Sequence, residues 1–233
     1  HAQLWHVGRI SHRSLQPGNA APVSASDLRA SKGNCFALDA QGKPARVECD
    51  QPRALTEAEI PGVIAHYERA ARLAKDAGFD GVQVHGANGY LPDQFMSSVV
   101  NQRTDAWGGD LVKRARFVVE CVKACVRVWG ADRVGIRLSP GSGNDGETID
   151  TQWREQHLEV ARQLQQVGVA YVDLVNYQWA YGRPGFDDGF LRDYRTVYRG
   201  AVFASAGLTQ EHAERLLQDG LCDACCFGRS FIA

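Results

Sequence analysis

The sequence predicts an α/β fold, a (β/α)8 or TIM barrel that is incomplete, with about six of the eight strands present. Three observations predict it. From residue 61 onward, amphipathic helical segments alternate with short β-branched or apolar runs, the order of parallel strands joined by crossover helices. Side chains able to do chemistry come directly after successive runs, and those strand ends form the active-site face of a barrel. An open doubly wound sheet fits the alternation equally well, so this second observation selects the barrel. Finally, residues 13–56 break the rhythm with a Pro-, Gly-, Ser- and Asn-rich stretch, long enough to be a functional cap over a barrel mouth.

The elements follow in order. Ala2 to Trp5 is the first visible strand. Within 13–56, Cys35 to Leu38 and Ala45 to Cys49 can form a small hairpin. Pro61 suits a first helical turn, and Ile64, Tyr67, Ala71 and Ala74 repeat at helical spacing as far as Lys75. Gly78 suits the end of that helix. Phe79 to His85 is the next strand, and Leu111 to Trp129 a helix with Ala115, Val118, Val122 and Cys125 on its inner stripe. Val134 to Leu138 is a strand, 152–167 a helix, Ala170 to Val175 a strand, 187–199 a helix, and Ala201 to Ser205 a strand. Thr209 can cap a helix reaching Asp219, and Asp223 to Phe227 is the last strand. Six strands leave two raw edges, which are aggregation hazards. The expectation is therefore one partial barrel domain over 1–233, lacking two strands ahead of it and at least one helix behind.

Composition narrows the function classes. The chain has 26 basic and 27 acidic residues, no electrostatic footprint for nucleic acid or an anionic membrane. No apolar run approaches the roughly 20 residues of a spanning helix, and no secretory signal opens the sequence. Seven cysteines, with Cys225 and Cys226 adjacent, suit buried reduced thiols better than a disulfide framework. The expectation is a soluble, cytoplasmic protein of uncertain oligomeric state.

The segment His85-Gly86-Ala87-Asn88-Gly89-Tyr90-Leu91 carries the strongest chemical signal. His85 and Asn88 can aim two donors at one oxygen and so polarise a carbonyl or nitro group. Tyr90, a phenol with a pKa near ~10, stays protonated at neutral pH and can act as a general acid. A structural histidine and a core tyrosine are the plain alternatives; the position after a strand favours a site. No Cys/His cluster has metal-ligand spacing, and neither a Walker loop nor a GxSxG elbow is present, so neither a metal nor nucleophilic catalysis is expected.

HGANGYLPDQF followed by NQRTDAWGG, together with AQLWHVGRISH, VGIRLSP and CFGRSFIA in that order, resembles the Old Yellow Enzyme family. That family includes N-ethylmaleimide reductases, morphinone reductases and 12-oxophytodienoate reductases. The resemblance implies an FMN-dependent enzyme that uses NADPH or NADH to reduce activated C=C bonds of enones, enals, maleimides or nitroalkenes. It implies that His85 and Asn88 bind the substrate's activating oxygen, that Tyr90 protonates its α-carbon, and that Trp5 shapes the substrate pocket. It assigns the amide of Gln3 to the flavin pyrimidine edge.

Arg137, inside an apolar strand, needs a negative partner. A structural carboxylate would serve, whereas the resemblance points to the reduced flavin. Ala206-Gly207 and Gly228-Arg229 follow the last two strands, where barrels hold phosphate. Ala206 departs mildly from the two glycine-like residues common in the family. His6, Arg9 and His12 read as structural, and Arg103, Asp105, Gly108, Gly109 and Arg114 as a salt-bridged loop bracing the site. Two rivals remain at this stage: a fragment unable to hold FMN, and a relative of the 2,4-dienoyl-CoA reductase type. The latter usually has closely spaced cysteines for an iron–sulfur cluster, a pattern this chain lacks.

Overall fold

Side-chain alternation along the strands decides the architecture of the computed structural model, which describes residues 1–30, 33–39, 41–142, 149–182 and 184–232, the side chain of Arg229 excepted. In chain order, β1 (Ala2–Leu4) is followed by β2 (Val23–Ser24), β3 (Asn34–Leu38), β4 (Pro44–Glu48) and β5 (Arg53–Ala54). Next come α1 (Ile60–Asp76), β6 (Val82–His85), α2 (Leu91–Met96), α3 (Leu111–Trp129) and β7 (Val134–Leu138). The remainder is α4 (Trp153–Val167), β8 (Tyr171–Val175), α5 (Tyr177–Tyr181), α6 (Asp188–Val197), β9 (Ala201–Ser205), α7 (Gln210–Gln218) and β10 (Ala224–Cys226).

The main sheet is six-stranded and parallel, in the order β1-β6-β7-β8-β9-β10. The order never reverses, and a doubly wound sheet must reverse. With right-handed crossovers, each new strand on the same side places all crossover helices on one face. That settles the alternative left open by the alternation of elements: the strand order is the one a β/α barrel needs.

One face of each of the four central strands, β6 to β9, is apolar and fully buried: Val82 and Val84, Val134, Ile136 and Leu138, Val172 and Leu174, Val202 and Ala204. These belong to the core shared with Ala115, Val118, Val122 and Cys125 of α3, the stripe expected from sequence. Burying each Val, Leu or Ile contributes about 1.5–3 kcal/mol, so this layer dominates stability. The opposite face carries Gln3, Gln83, His85, Arg137, Tyr171, Asp173 and Ser205, a polar set on the side a barrel turns inward. Register aligns them in rows: Gln3 is level with Gln83, His85 with Arg137, and Arg137 with Asp173. Gly135 has a packing reason, because a Cβ there would lie 2.2 Å from the Tyr171 ring.

Helix ends follow their caps. Asp110 accepts from Lys113 N–H at 2.8 Å and starts α3, and Thr209 accepts from His212 N–H at 3.2 Å and starts α7. Gly78 follows α1 with φ +83°, the left-handed geometry that glycine tolerates. Between β1 and α1 the expected hairpin forms, β3 antiparallel to β4 with Cys35 level with Val47. The parallel pair of β2 and β5 closes the base of this insertion. Two helices were not expected, α2 and α5; both are too short to show a period. Strand β6 begins at Val82, three residues later than predicted, because Phe79 to Gly81 form the link from α1.

Overpacking a filled site costs about 1–3 kcal/mol, so Gly135→Ala is expected to lower stability by that amount in urea unfolding. Combining it with Tyr171→Ala removes the clash and is expected to recover part of the loss. Strictly additive losses would contradict the assigned packing.

Candidate active site

Residues 85–96 are held by backbone geometry and a few buried polar groups. Asn88 and Gly89 both have positive φ, 62° and 77°, which turns the chain sharply enough to start α2 with Tyr90 as its extended cap residue. The side chain of Asp93 accepts from Gly89 N–H at 2.8 Å. Ser139, just after β7, accepts from Asn88 N–H at 2.8 Å and donates to Asp93 at 3.4 Å. Gln94 is buried and bonds to four groups. Its Nε2 donates to Gly89 O (2.7 Å) and Val7 O (3.2 Å), and its Oε1 accepts from Ser24 Oγ (3.0 Å) and Arg9 N (3.2 Å).

This frame brings three of the predicted side chains together. The Trp5 and Tyr90 rings lie 4.8 Å apart, His85 and Tyr90 5.2 Å, and Trp5 and His85 5.8 Å. Trp5 is 55% exposed, so the cluster opens on one side. Asn88 Oδ1 is buried without a hydrogen-bond partner among the described residues. A buried unpaired amide atom costs about 1–3 kcal/mol, which a ligand group meeting it would recover. By turning end over end, the same amide can present its N–H there.

His85 is neutral. Burial, reinforced by the Arg137 guanidinium, pushes its pKa down to about 4. Its Nδ1 accepts from Ala87 N–H at 3.4 Å, so the ring proton sits on Nε2, and His85 is a neutral donor. Tyr177 adds a further phenol near this group; burial raises its pKa, and the fields of Tyr181 and Tyr90 push it the same way.

A cleft of ≈ 530 Å³ opens over the ends of β7, β9 and β10, lined by Arg137, Tyr181, Ala206, Gly207, Cys226 and Gly228 among others. Ala206 and Gly207 have φ of 79° and 67°. This turn bends the backbone sharply at the cleft, and α7 begins three residues on, its N-terminal end favouring negative charge. Gly207 must be glycine, since a Cβ would lie 2.3 Å from the Ala180 backbone. Ala206 holds this conformation at a cost of about 1–2 kcal/mol. The side chain of Arg229 lies outside the described residues.

Arg137 and Gln3 are already engaged. Arg137 Nη1 donates to Asp173 Oδ2 at 2.8 Å, so the structural carboxylate that the residues alone suggested is present. Its guanidinium remains 28% exposed at the cleft while Asp173 is 4% exposed. Gln3 Nε2 donates to Gln83 Oε1 at 2.6 Å, so part of the amide assigned to a flavin edge is taken up between β1 and β6.

The bracing loop matches its expected role, with one difference. Arg103 pairs with Asp105 and also donates to Ala25 O and Leu55 O, pinning the insertion. Arg114 is held by neutral acceptors instead of a carboxylate: Met96 O, Gly109 O, Gln152 and Gln156. Arg9 donates to Leu28 O and Arg29 O, His6 accepts from Gly8 N–H, and His12 meets Ser14, all structural roles. Reading the sequence missed Gln94, Ser139, Asp173 and Tyr177. Of these, Gln94 lies within the quoted HGANGYLPDQF stretch, and a glutamine among apolar neighbours was the available signal. Among the described residues no helix is long and apolar enough to cross a membrane.

Residues 1–233 match the sequence profile of the NADH:flavin oxidoreductase / NADH oxidase family. The chain is 37% identical over 232 residues to 12-oxophytodienoate reductase 2 of Arabidopsis thaliana, covering 99% of this chain and 60% of that protein. It is 36% identical over 244 residues to 12-oxophytodienoate reductase 7 of Oryza sativa subsp. japonica, covering 99% and 61%. Among solved structures, morphinone reductase superposes with a TM-score of 0.94 at 39% identity, covering 99% of this chain and 62% of that one. The old yellow enzyme homologue from Zymomonas mobilis superposes at 0.90 with 32% identity, covering 99% and 63%. Morphinone reductase in complex with tetrahydroNAD is similar as well, with a TM-score of 0.93 at 39% identity, covering 99% and 62%. The chain thus spans roughly three-fifths of such relatives, and its six strands are part of a barrel.

The folded pKa of His85 lies below the ordinary 6.5, so on acidification the unfolded chain takes up the proton first. Stability is then complete above pH 6.5 and declines as the pH falls toward 4, with His157, also lowered to about 4, contributing another part. His85→Gln is expected to flatten this decline in unfolding experiments across pH 4–7. An unaltered slope would mean that His85 is not held neutral.

Proposed function

The chain belongs to the NADH:flavin oxidoreductase / NADH oxidase family, and from that premise we propose that the protein it forms part of is an ene-reductase. It reduces activated C=C bonds of enones, enals, maleimides or nitroalkenes, with FMN bound non-covalently and NADPH or NADH as reductant. The observation that carries this reading is the meeting of His85, Tyr90 and Trp5, with ring centroids 4.8–5.8 Å apart, one strand over from the Arg137 cleft.

The residues present fit FMN. The positive-φ pair Ala206-Gly207 and the backbone at Gly228 suit its phosphate, with Arg229 as the expected charged partner, and Arg137 lines the same cleft as a cation for the ring; Gln3 of β1 would be a further polar contact. FMN, held by these residues, would supply the hydride chemistry, with the nicotinamide as its reductant.

The protein's own work is polarisation and protonation. His85 Nε2–H and the Asn88 amide hold the oxygen conjugated to the double bond. They bind it more strongly as negative charge gathers there, which is what lowers a barrier. A neutral imidazole donates this bond without giving up its proton, leaving protonation of the α-carbon to the Tyr90 hydroxyl. Trp5 forms one wall of the pocket beside the Tyr90 and His85 rings. The small electrophilic alkene is the expected partner, and the cytoplasm the expected location.

The test is anaerobic, with the two half-reactions followed separately by flavin absorbance. Tyr90→Phe is expected to slow reoxidation by cyclohexenone by about 10²-fold or more while leaving reduction by the nicotinamide unchanged. Equal loss in both halves would remove Tyr90 as the proton donor, and a purified protein that takes up no FMN would end the reading altogether.

A further inference from the structure

Arg137 does not stand alone at the edge of the cleft. Asp173, level with it on the adjoining strand β8, takes Nη1 at 2.8 Å. The second carboxylate oxygen accepts from Ser205 Oγ of β9, two residues beyond Phe203, the β9 residue level with Asp173. Gln83 of β6 lies close enough to pull the Asp173 pKa down. Among the described residues, Arg137 Nη2 and Nε make no hydrogen bond, and the guanidinium keeps 28% of its side-chain surface at the cleft while Asp173 keeps 4%. The carboxylate is therefore behind the guanidinium as seen from the cleft, gripping one nitrogen and leaving the others for a ligand.

This arrangement has a geometric and an electrostatic consequence. A flexible arginine with one nitrogen clamped presents its remaining N–H groups in a defined plane, so less freedom is lost when they bind. A negative charge 2.8 Å from Nη1 also offsets the field of the guanidinium at any group in the cleft, since both charges act there with opposite sign. Burial pushes the Asp173 carboxyl above its ordinary range, while Arg137, Ser205 and Gln83 pull it back. The pairing is built into the register of β7 and β8 and needs no ligand to form.

We propose that Asp173 is a positioning residue for the flavin: it holds Arg137 in place and offsets its charge, so that a flavin seated in the cleft has a lower reduction potential than Arg137 alone would set. The inference rests on the FMN reading above. The sign follows from charge. A guanidinium stabilises the more negative reduced flavin and raises the potential; a carboxylate behind it works in the opposite direction.

The experiment compares wild type with Asp173→Asn, Asp173→Ser and Asp173→Glu, each titrated with FMN by fluorescence quenching and then poised against reference dyes at pH 8. Asp173→Asn is expected to raise the midpoint potential by about 30 mV, a tenfold shift in the two-electron equilibrium, with FMN still bound. Should that variant not accumulate as folded protein, Asp173→Ser, smaller and equally neutral, carries the same expectation. Asp173→Glu, which keeps the charge, is expected to stay at the wild-type potential. A merely structural role would leave the potential unmoved in every variant that holds FMN, and an unchanged or lowered midpoint in the neutral variants overturns the proposal. Loss of flavin from both neutral variants would assign Asp173 to binding and overturns it too. Failure of wild type to bind FMN is a different result, which removes the functional reading and this inference together.

Discussion

The buried amide of Gln94 is the junction on which the site depends. Its four hydrogen bonds join the segment after β1 (Val7 O and Arg9 N), the insertion (Ser24 Oγ) and the turn after β6 (Gly89 O). Trp5 comes from the first of these segments, and His85, Asn88 and Tyr90 come from the last. A fully satisfied buried amide tolerates little displacement, because any lost partner leaves an unpaired polar atom in a low-dielectric interior. The space around Gln94 is equally strict: Gly8 has no Cβ, and one there would lie 2.1 Å from Gln94 Oε1. Loops that would otherwise be independent are thus locked to a single geometry.

Around that junction the molecule uses two different ways of keeping polar groups inside. His85 is made neutral by burial and by the nearby Arg137, and so becomes a hydrogen-bond donor with no charge to solvate. Arg137 cannot be made neutral and is matched by a carboxylate instead. Both follow from the same arrangement of the sheet, whose apolar face is sealed by helices and whose polar face looks into the enclosure. A neutral donor suits an oxygen on which charge appears only during reaction, whereas a paired cation suits a group that is already anionic or becomes so.

Much of the fold was legible because its signals are local. Leu111–Trp129 and Val134–Leu138 have the bounds expected from period and composition, since a long amphipathic helix and a β-branched strand each carry their pattern within their own residues. The hairpin of β3 and β4 was legible for the same reason. Helices α2 and α5 were not: six and five residues are too few to show a period, and tertiary contacts rather than propensity sustain them. Of the site, His85, Tyr90 and Trp5 were readable as residue types in a recognisable stretch, and the structure brings their rings into contact.

What the sequence determined by itself was the order of elements, the family resemblance, and which side chains have the right chemistry, because each is written in neighbouring residues. Only the tertiary structure decided which groups already have partners. That Asp173 answers Arg137, that Gln83 takes an N–H of Gln3, and that Asn88 Oδ1 is left without a partner among the described residues are facts about strand register and turn geometry. Residues 36 or 80 positions apart meet through these, and no local pattern encodes such pairings. The charge state of His85 belongs with them, since burial is a property of the whole packed molecule and not of the segment that carries the ring.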